Sequence, residues 1–126
     1  MATFVFDIST RFSPDSGLIF AATLLLLGAF FASVFAIVTG LVDWSMMVKG
    51  SRKRKAATEH MLVQLLALLI FVFAFALRWN QRHIPEAHPL WIVAEGLGVL
   101  AVFVGQYLGG KLVYQMAVRV KTSQLQ

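Results

Sequence analysis

The chain contains no cysteine, and charged residues make up only 13% of it. Without thiols it forms no disulfide, ligates no iron–sulfur cluster by itself and performs no thiol catalysis. A soluble domain carries about 25% charged residues, so the low charge argues against that class. The sequence also has no HExxH, no GxSxG and no phosphate-binding glycine loop. We therefore expect a chain that is not an enzyme.

Apolar residues are abundant instead, at 59% of the chain, and they cluster in three long runs. A helix needs about 20 apolar residues to cross a bilayer, and each run approaches or exceeds that length. The predicted spans cover about 17–43, 60–78 and 90–114. The sequence thus predicts an all-α integral membrane bundle of three transmembrane helices, forming a single domain over residues 1–126. The lipid bilayer is its first expected partner.

The ends of the spans carry recognisable signals. Residues 1–16 have no cationic leader and no small-residue cleavage site, so we expect no secretory signal peptide, and this segment is expected at the membrane surface. Ser13-Pro14-Asp15 is typical of a helix start, with Ser13 as the cap and proline at the first helical position. His88-Pro89 predicts the start of the third span in the same way.

Charge predicts the topology. Five of the eleven Lys and Arg residues lie between the first two spans, in the run Lys49–Lys55. A nucleic-acid interpretation of such a run exists, but between two spans it is a topology signal, and no nucleic-acid partner is expected. Lys111 near the end of the third span, with Arg119 and Lys121 beyond it, places the exit of that span on the same side. The prediction is N-terminus out and C-terminus in, with Trp79 and Trp91 at the outer interface and Trp44 and Tyr114 at the inner one.

Small residues line one face of two predicted spans. Such faces allow close approach of neighbouring helix backbones in a membrane. At about 100° per residue, each set occupies about 80° of its helix. The third span contributes Ala94, Gly98, Ala101, Gly105 and Gly109, and the first contributes Ala22, Ala29, Ser33, Ala36, Gly40 and Asp43.

Polar residues also cluster on one face of the second span, where His60, Gln64 and Arg78 align with Ala67, Phe71 and Ala74. Asp43 and His60 are expected to pair near the inner surface. That pair would be either a structural staple or a proton relay or quinone contact. Glu95 lies one turn inside the third span, and Arg78 is its nearest expected partner. An ordinary ion pair and a functional acid are both open interpretations.

A haem b or chlorin is the cofactor alternative. Such a group usually takes two axial ligands, and His60 is the one histidine at a predicted span. Another chain, a second copy, or Met46, Met47 or Met116 would have to supply the second ligand. The sequence therefore predicts no cofactor and no metal site, with His60 as the alternative ligand.

Three segments carry a family resemblance: Gly40-Leu-Val-Asp43, Ala57-Thr-Glu-His60-Met61 and Tyr107-Leu-Gly-Gly-Lys-Leu-Val-Tyr114. Over roughly residues 36–120 the chain resembles a bacterial membrane family numbered 2231 among the domains of unknown function. The resemblance implies a small helical bundle, with some relatives fused to Rieske iron–sulfur domains. The family positions it implies here are Asp43, His60, Gly109, Gly110 and Tyr114.

Two departures accompany the resemblance. The family is generally four-helical, whereas three spans fit here, which predicts the loss of an opening helix. The family often has a histidine near the position that Met116 occupies here, and its absence from this chain weakens the haem alternative.

The leading hypothesis is a small non-catalytic membrane subunit or anchor of a respiratory or photosynthetic electron-transfer complex in the bacterial inner membrane. The alternatives are a haem, chlorin or quinone site at His60, and a proton or small-solute pathway through Glu95 and Asp43.

Overall fold

The computed structural model describes residues 1–115, and all of its regular structure there is helical. Met116, Arg119 and Lys121, which contribute to the sequence-based predictions, lie outside the described residues. The helices are α1 (Ala2–Ser9), α2 (Ser16–Met46), α3 (Arg52–Arg78) and α4 (Pro89–Tyr114), with a short 3₁₀ turn at Trp79–Gln81.

Three of these helices, α2, α3 and α4, are long and apolar enough to cross a membrane. The prediction of an all-α bundle with three such helices is confirmed. The 31 residues of α2 correspond to about 46 Å, which exceeds the roughly 30 Å hydrocarbon core and implies tilt or extension into the interface. Large apolar side chains such as Phe35, Leu62 and Phe103 are exposed on these helices, as expected for lipid-facing surfaces.

The helix starts differ in part from the predictions. Asp15, and not Ser13, caps α2, because its Oδ1 accepts a hydrogen bond from the Gly17 amide at 2.7 Å. His88 caps α4 through Nδ1, with Pro89 at the first position as predicted. Ser51 caps α3, so the basic residues 52–55 form the first helical turn and not a loop. Gly50, at φ 77°, makes the turn before it.

The helices α3 and α4 pack most closely, and glycine makes this possible. A Cβ on Gly98 would lie 2.8 Å from the Phe71 ring, and one on Gly105 would lie 2.9 Å from the Gln64 side chain. A Cβ on Gly109 would lie 3.0 Å from the His60 ring. Ala94 is buried in the same seam. The α4 small-residue face therefore meets the polar face of α3. The periodicity predicts that a neighbouring helix approaches the small-residue face, and the structure identifies that helix as α3.

Helix α1 covers the end of the bundle where α2 and α4 begin and α3 ends. Thr10, just after α1, accepts a hydrogen bond from the Ala87 amide at 3.0 Å, and Asp15 donates its amide to the Pro85 carbonyl. Trp91 packs here against Ile19 and is only 2% exposed. Trp91 is thus covered by Ile19 and Ala87 and does not face lipid, and its predicted depth at the outer interface stays a prediction.

Helix α2 packs against α1 at one end and against α3 along part of its length. Toward the opposite end of the bundle, the Trp44 indole donates to the Thr58 hydroxyl at 2.9 Å, and the Arg54 guanidinium lies 4.0 Å from the Trp44 ring centre. Between these anchors much of α2 is exposed. A Cβ on Gly28 or on Gly40 would meet no atom within 4 Å among the described residues.

Candidate functional site: a buried arginine between two carboxylates

The most strongly polar site in the core is centred on Arg78, the last residue of α3. Its side chain is fully buried although it ends an apolar helix. Because α3 ends beneath α1, the guanidinium meets backbone and side chains from three other helices instead of lipid headgroups. Its Nη2 donates to the Ile19 carbonyl of α2 at 3.1 Å.

Two carboxylates complete the site. Asp7, on α1, accepts two hydrogen bonds from Arg78, at 3.0 Å to each of its oxygens. Glu95, on α4, accepts from Arg78 Nη1 at 2.7 Å. Both acids are fully buried. We call Asp7, Arg78 and Glu95 the Arg78 cluster, and it ties α1, α3 and α4 together at one end of the bundle.

The charges of the Arg78 cluster do not balance. One guanidinium faces two carboxyl groups, and the Trp91 ring lies 5.3 Å from the guanidinium carbon on another side. Burial raises the pKa of the Asp7 carboxyl above its ordinary value, although the Arg78 guanidinium opposes this shift. Within residues 1–115, Glu95 Oε2 and Arg78 Nε are buried without a hydrogen-bond partner. A second carboxyl therefore brings more negative charge into the site than Arg78 neutralises.

A second polar region lies along the α3–α4 seam. His60 Nδ1 lies 2.8 Å from the Gly105 carbonyl oxygen. A carbonyl only accepts, so Nδ1 carries the proton, and in the neutral ring Nε2 keeps its lone pair. Through this contact His60 joins α3 to α4, and its expected pair with Asp43 of α2 stays a prediction. Asp43 itself is half-buried on α2.

The predicted site residues thus lie in two separate regions, the Arg78 cluster and the α3–α4 seam, with Asp43 apart on α2. The expected pair of Glu95 with Arg78 is present, and Gln64 and His60 line the seam. Glu95 lies near the start of α4 and Asp43 near the end of α2, at opposite ends of the bundle, so a direct pathway between them has no support from contacts.

Of the family positions, Gly109 contacts His60, whereas a Cβ on Gly110 would meet open space and Tyr114 is exposed. In the described part of the chain, no group of three His, Asp or Glu residues is arranged to hold a metal ion.

Asp7 is the site residue that sequence reasoning misses. The first sixteen residues contain no long apolar run, and this favours a surface segment. A contrary signal is present: Thr3, Asp7 and Thr10 recur at helical spacing between apolar residues, and all three are buried. This polar face is directed into the bundle, opposite to the usual rule for a short surface helix.

Three long apolar helices, with a glycine seam between α3 and α4 and a buried ionic site, define a small polytopic helical membrane protein. Comparison with family models agrees with this class. A model described as predicted membrane protein, DUF2231, matches residues 1–122. The chain therefore belongs to the DUF2231 family. Comparison with curated proteins and with solved structures gave no match.

The match is longer than the segment 36–120 that carries the sequence resemblance, and it includes α1. The predicted loss of an opening transmembrane helix stays a prediction. The chain does open with a helix, but the eight residues of α1 are too few to cross a bilayer.

Proposed function

We propose that this chain is a non-catalytic membrane subunit that assembles with other transmembrane proteins through α2. The observation that carries the proposal is a row of small residues at four-residue spacing on a mostly exposed side of α2. We call this row the α2 small-residue face, and it consists of Gly28, Ala32, Ala36 and Gly40. Rows of this kind let a second helix approach closely in lipid, and the space beside Gly28 and Gly40 is open.

Our more specific proposal is an electron-transfer complex of the bacterial inner membrane, respiratory or photosynthetic. Its support is the resemblance to relatives fused to Rieske domains, which is an argument by analogy. The charge pattern supports an orientation with Lys49–Lys55 in the cytoplasm and α1 on the outer side.

Purification of the tagged chain from native membranes in mild detergent tests the assembly. The wild type is expected to retain a membrane partner that carries a redox centre. Ala36→Leu is expected to reduce the retained partner about tenfold, which corresponds to about 1.4 kcal/mol, because the added side chain separates the two backbones. Val38→Leu is the matched control, since Val38 is exposed on another side of α2. A partnerless wild type, or an equal effect of both variants, would contradict the proposal.

A second candidate function is favoured by the geometry of His60. Its bond to the Gly105 carbonyl fixes the ring and leaves Nε2 as the ligating atom, an arrangement that orients many metal-bound histidines. A haem b or chlorin would be held by His60 from this chain and by a second ligand from another chain or from Met46 or Met47. The same nitrogen would serve as a hydrogen-bond partner for a quinone headgroup.

An absorbance spectrum of the purified assembly, recorded with and without dithionite, decides whether His60 holds a coloured group. If it does, the wild type shows a Soret band that shifts on reduction, and His60→Gln loses it. A colourless wild-type assembly would remove the haem and chlorin candidates. Gln64→Leu serves as the control, because Gln64 lines the same seam one turn away.

A further inference from the structure

The Arg78 cluster contains one more acid than it has bases. Asp7 comes from α1, Arg78 from α3 and Glu95 from α4. Helix α2 contributes the Ile19 carbonyl. All three side chains are closed to solvent. An uncompensated charge in such a place is costly, so the site needs one additional positive charge.

The geometry indicates where that charge goes. Arg78 Nη1 donates to Asp7 Oδ2 at 3.0 Å and to Glu95 Oε1 at 2.7 Å, so the two carboxyl groups are neighbours on one nitrogen. Two carboxylates cannot bond to each other unless one of them carries a proton, since each is otherwise only an acceptor. Asp7 already uses both oxygens on Arg78, whereas Glu95 uses only Oε1, and its Oε2 is buried without a donor among residues 1–115.

The other titratable side chains at this end of the bundle are exposed, except Arg82, which is half-buried and lies 4.5 Å from the Trp79 ring centre outside the cluster. Arg11 and Glu86 pair at 2.8 Å with both side chains nearly half exposed. His83 and His88 are exposed, with His88 6.4 Å from the Trp91 ring. Asp15 caps α2 on the surface. None of these groups is buried with Arg78 in the described structure, so none supplies the missing charge.

We propose that Asp7 and Glu95 together bind one shared proton at neutral pH, and that this proton keeps α1 docked on the bundle. The ion pair of Arg78 and Glu95 joins two transmembrane helices and is balanced without α1. Docking of α1 adds the Asp7 carboxyl and therefore requires uptake of a proton. Loss of the proton leaves an excess negative charge, which is relieved when α1 leaves the site.

The sign of the pH dependence follows. A carboxyl pair that binds a proton more tightly with α1 docked than with α1 free makes docking weaker as pH rises. The stabilisation is complete below the ordinary carboxyl pKa and is lost as pH rises through the raised value of the docked state. The elevated pKa of Asp7 agrees in direction. Because one proton is linked, the docking equilibrium changes by up to about tenfold per pH unit above that value.

Infrared spectroscopy of the full chain in lipid nanodiscs tests the proton. The wild type is expected to show the carbonyl stretch of one protonated carboxyl per chain at neutral pH. Glu95→Gln and Asp7→Asn are each expected to abolish it, because either change leaves one carboxylate for one guanidinium. Glu86→Gln, which changes an exposed acid at the same end, is expected to retain it. Absence of the band in the wild type, or its survival in both cluster variants, would overturn the proposal.

Cysteine labelling tests the link to α1, since the natural chain has no thiol. Thr3→Cys places a thiol at a buried position of α1, and Ser13→Cys provides an exposed reference that corrects for thiol ionisation. The ratio of maleimide labelling rates, Thr3→Cys over Ser13→Cys, is expected to rise with pH. In a Glu95→Gln background this labelling ratio is expected to be independent of pH. The Glu95→Gln result tests the proposal by itself, so the test does not depend on whether Asp7→Asn folds.

One further background completes the labelling test. In His83→Gln with His88→Asn, the pH dependence is expected to persist, because these imidazoles lie outside the cluster. A labelling ratio independent of pH in the wild type would show that the proton does not control α1. A dependence that disappears with the histidines would assign the effect to them and overturn the proposal.

Discussion

Arg78→Ala is expected to destabilise the protein by about 3–5 kcal/mol and to release α1 from the bundle. The change removes the guanidinium and leaves two carboxyl groups buried without a counter-ion, which is far costlier than losing an exposed pair. Asp7 would lose both of its bonds to Arg78, and the Ile19 carbonyl would lose its side-chain donor. Denaturation in mixed detergent micelles, followed by circular dichroism, measures the loss.

Arg11→Ala is the matched control at the same end of the bundle. Arg11 also pairs with a glutamate at 2.8 Å, but the Arg11 and Glu86 side chains are 45% and 48% exposed. A surface pair contributes about 0–1 kcal/mol, so this change is expected to have little effect. Adding Asp7→Asn and Glu95→Gln to Arg78→Gln should recover part of the stability, because a neutral site has no charge to compensate. Equal losses for Arg78→Ala and Arg11→Ala would mean that the Arg78 cluster does not hold the fold.

Gly98→Leu is the second substitution with a large expected effect. Even a methyl group on Gly98 would lie 2.8 Å from the Phe71 ring, and a leucine has no space in the seam. The helices α3 and α4 must then separate, at a cost of about 1–3 kcal/mol from overpacking. The seam also carries the His60 bond to Gly105, so that contact is expected to weaken as the helices separate.

Gly110→Leu is the internal control for Gly98→Leu. It makes the same change on the same helix, at a position where a Cβ would meet no atom of the described residues within 4 Å. Its stability, measured in the same micelles, is expected to equal or slightly exceed that of the wild type, because glycine is a poor helix former. A seam that tolerated leucine at Gly98 as well as at Gly110 would contradict the close packing of α3 on α4.

The parts of this fold that follow a helical period are predictable from the sequence. The three apolar runs predict the spans, and the alignment of Gly98, Gly105 and Gly109 predicts the face of α4 that a neighbouring helix approaches. Arg78 and Glu95 can be paired because both lie near the same end of consecutive antiparallel spans. In each case the physical signal is local: a period, a length or a charge at a known depth.

Contacts that depend on tertiary placement are not predictable in this way. The partner of His60 is a backbone carbonyl, and every residue offers one, so residue types alone do not identify it. Asp7 lies in an eight-residue helix whose place in the fold is set by packing and not by propensity. Tryptophan is common at membrane interfaces, which favours a lipid-facing place for Trp91, whereas Ile19 and Ala87 bury its side chain. Long-range hydrogen bonds position α1, such as the one that the Ala87 amide donates to the Thr10 hydroxyl just after this helix, and local sequence patterns do not reveal them.

The central proposal is that α2, α3 and α4 cross the membrane with the Arg78 cluster at the outer end and the basic first turn of α3 at the inner end. Single cysteines at Gln81 and Val48 test this orientation in intact bacterial cells. Both residues are exposed; Gln81 follows the end of α3, and Val48 lies at the opposite end of the bundle, between α2 and α3. A membrane-impermeant maleimide is expected to label Gln81→Cys directly and Val48→Cys only after permeabilisation. Labelling of both from outside, or of Val48→Cys alone, would contradict the account.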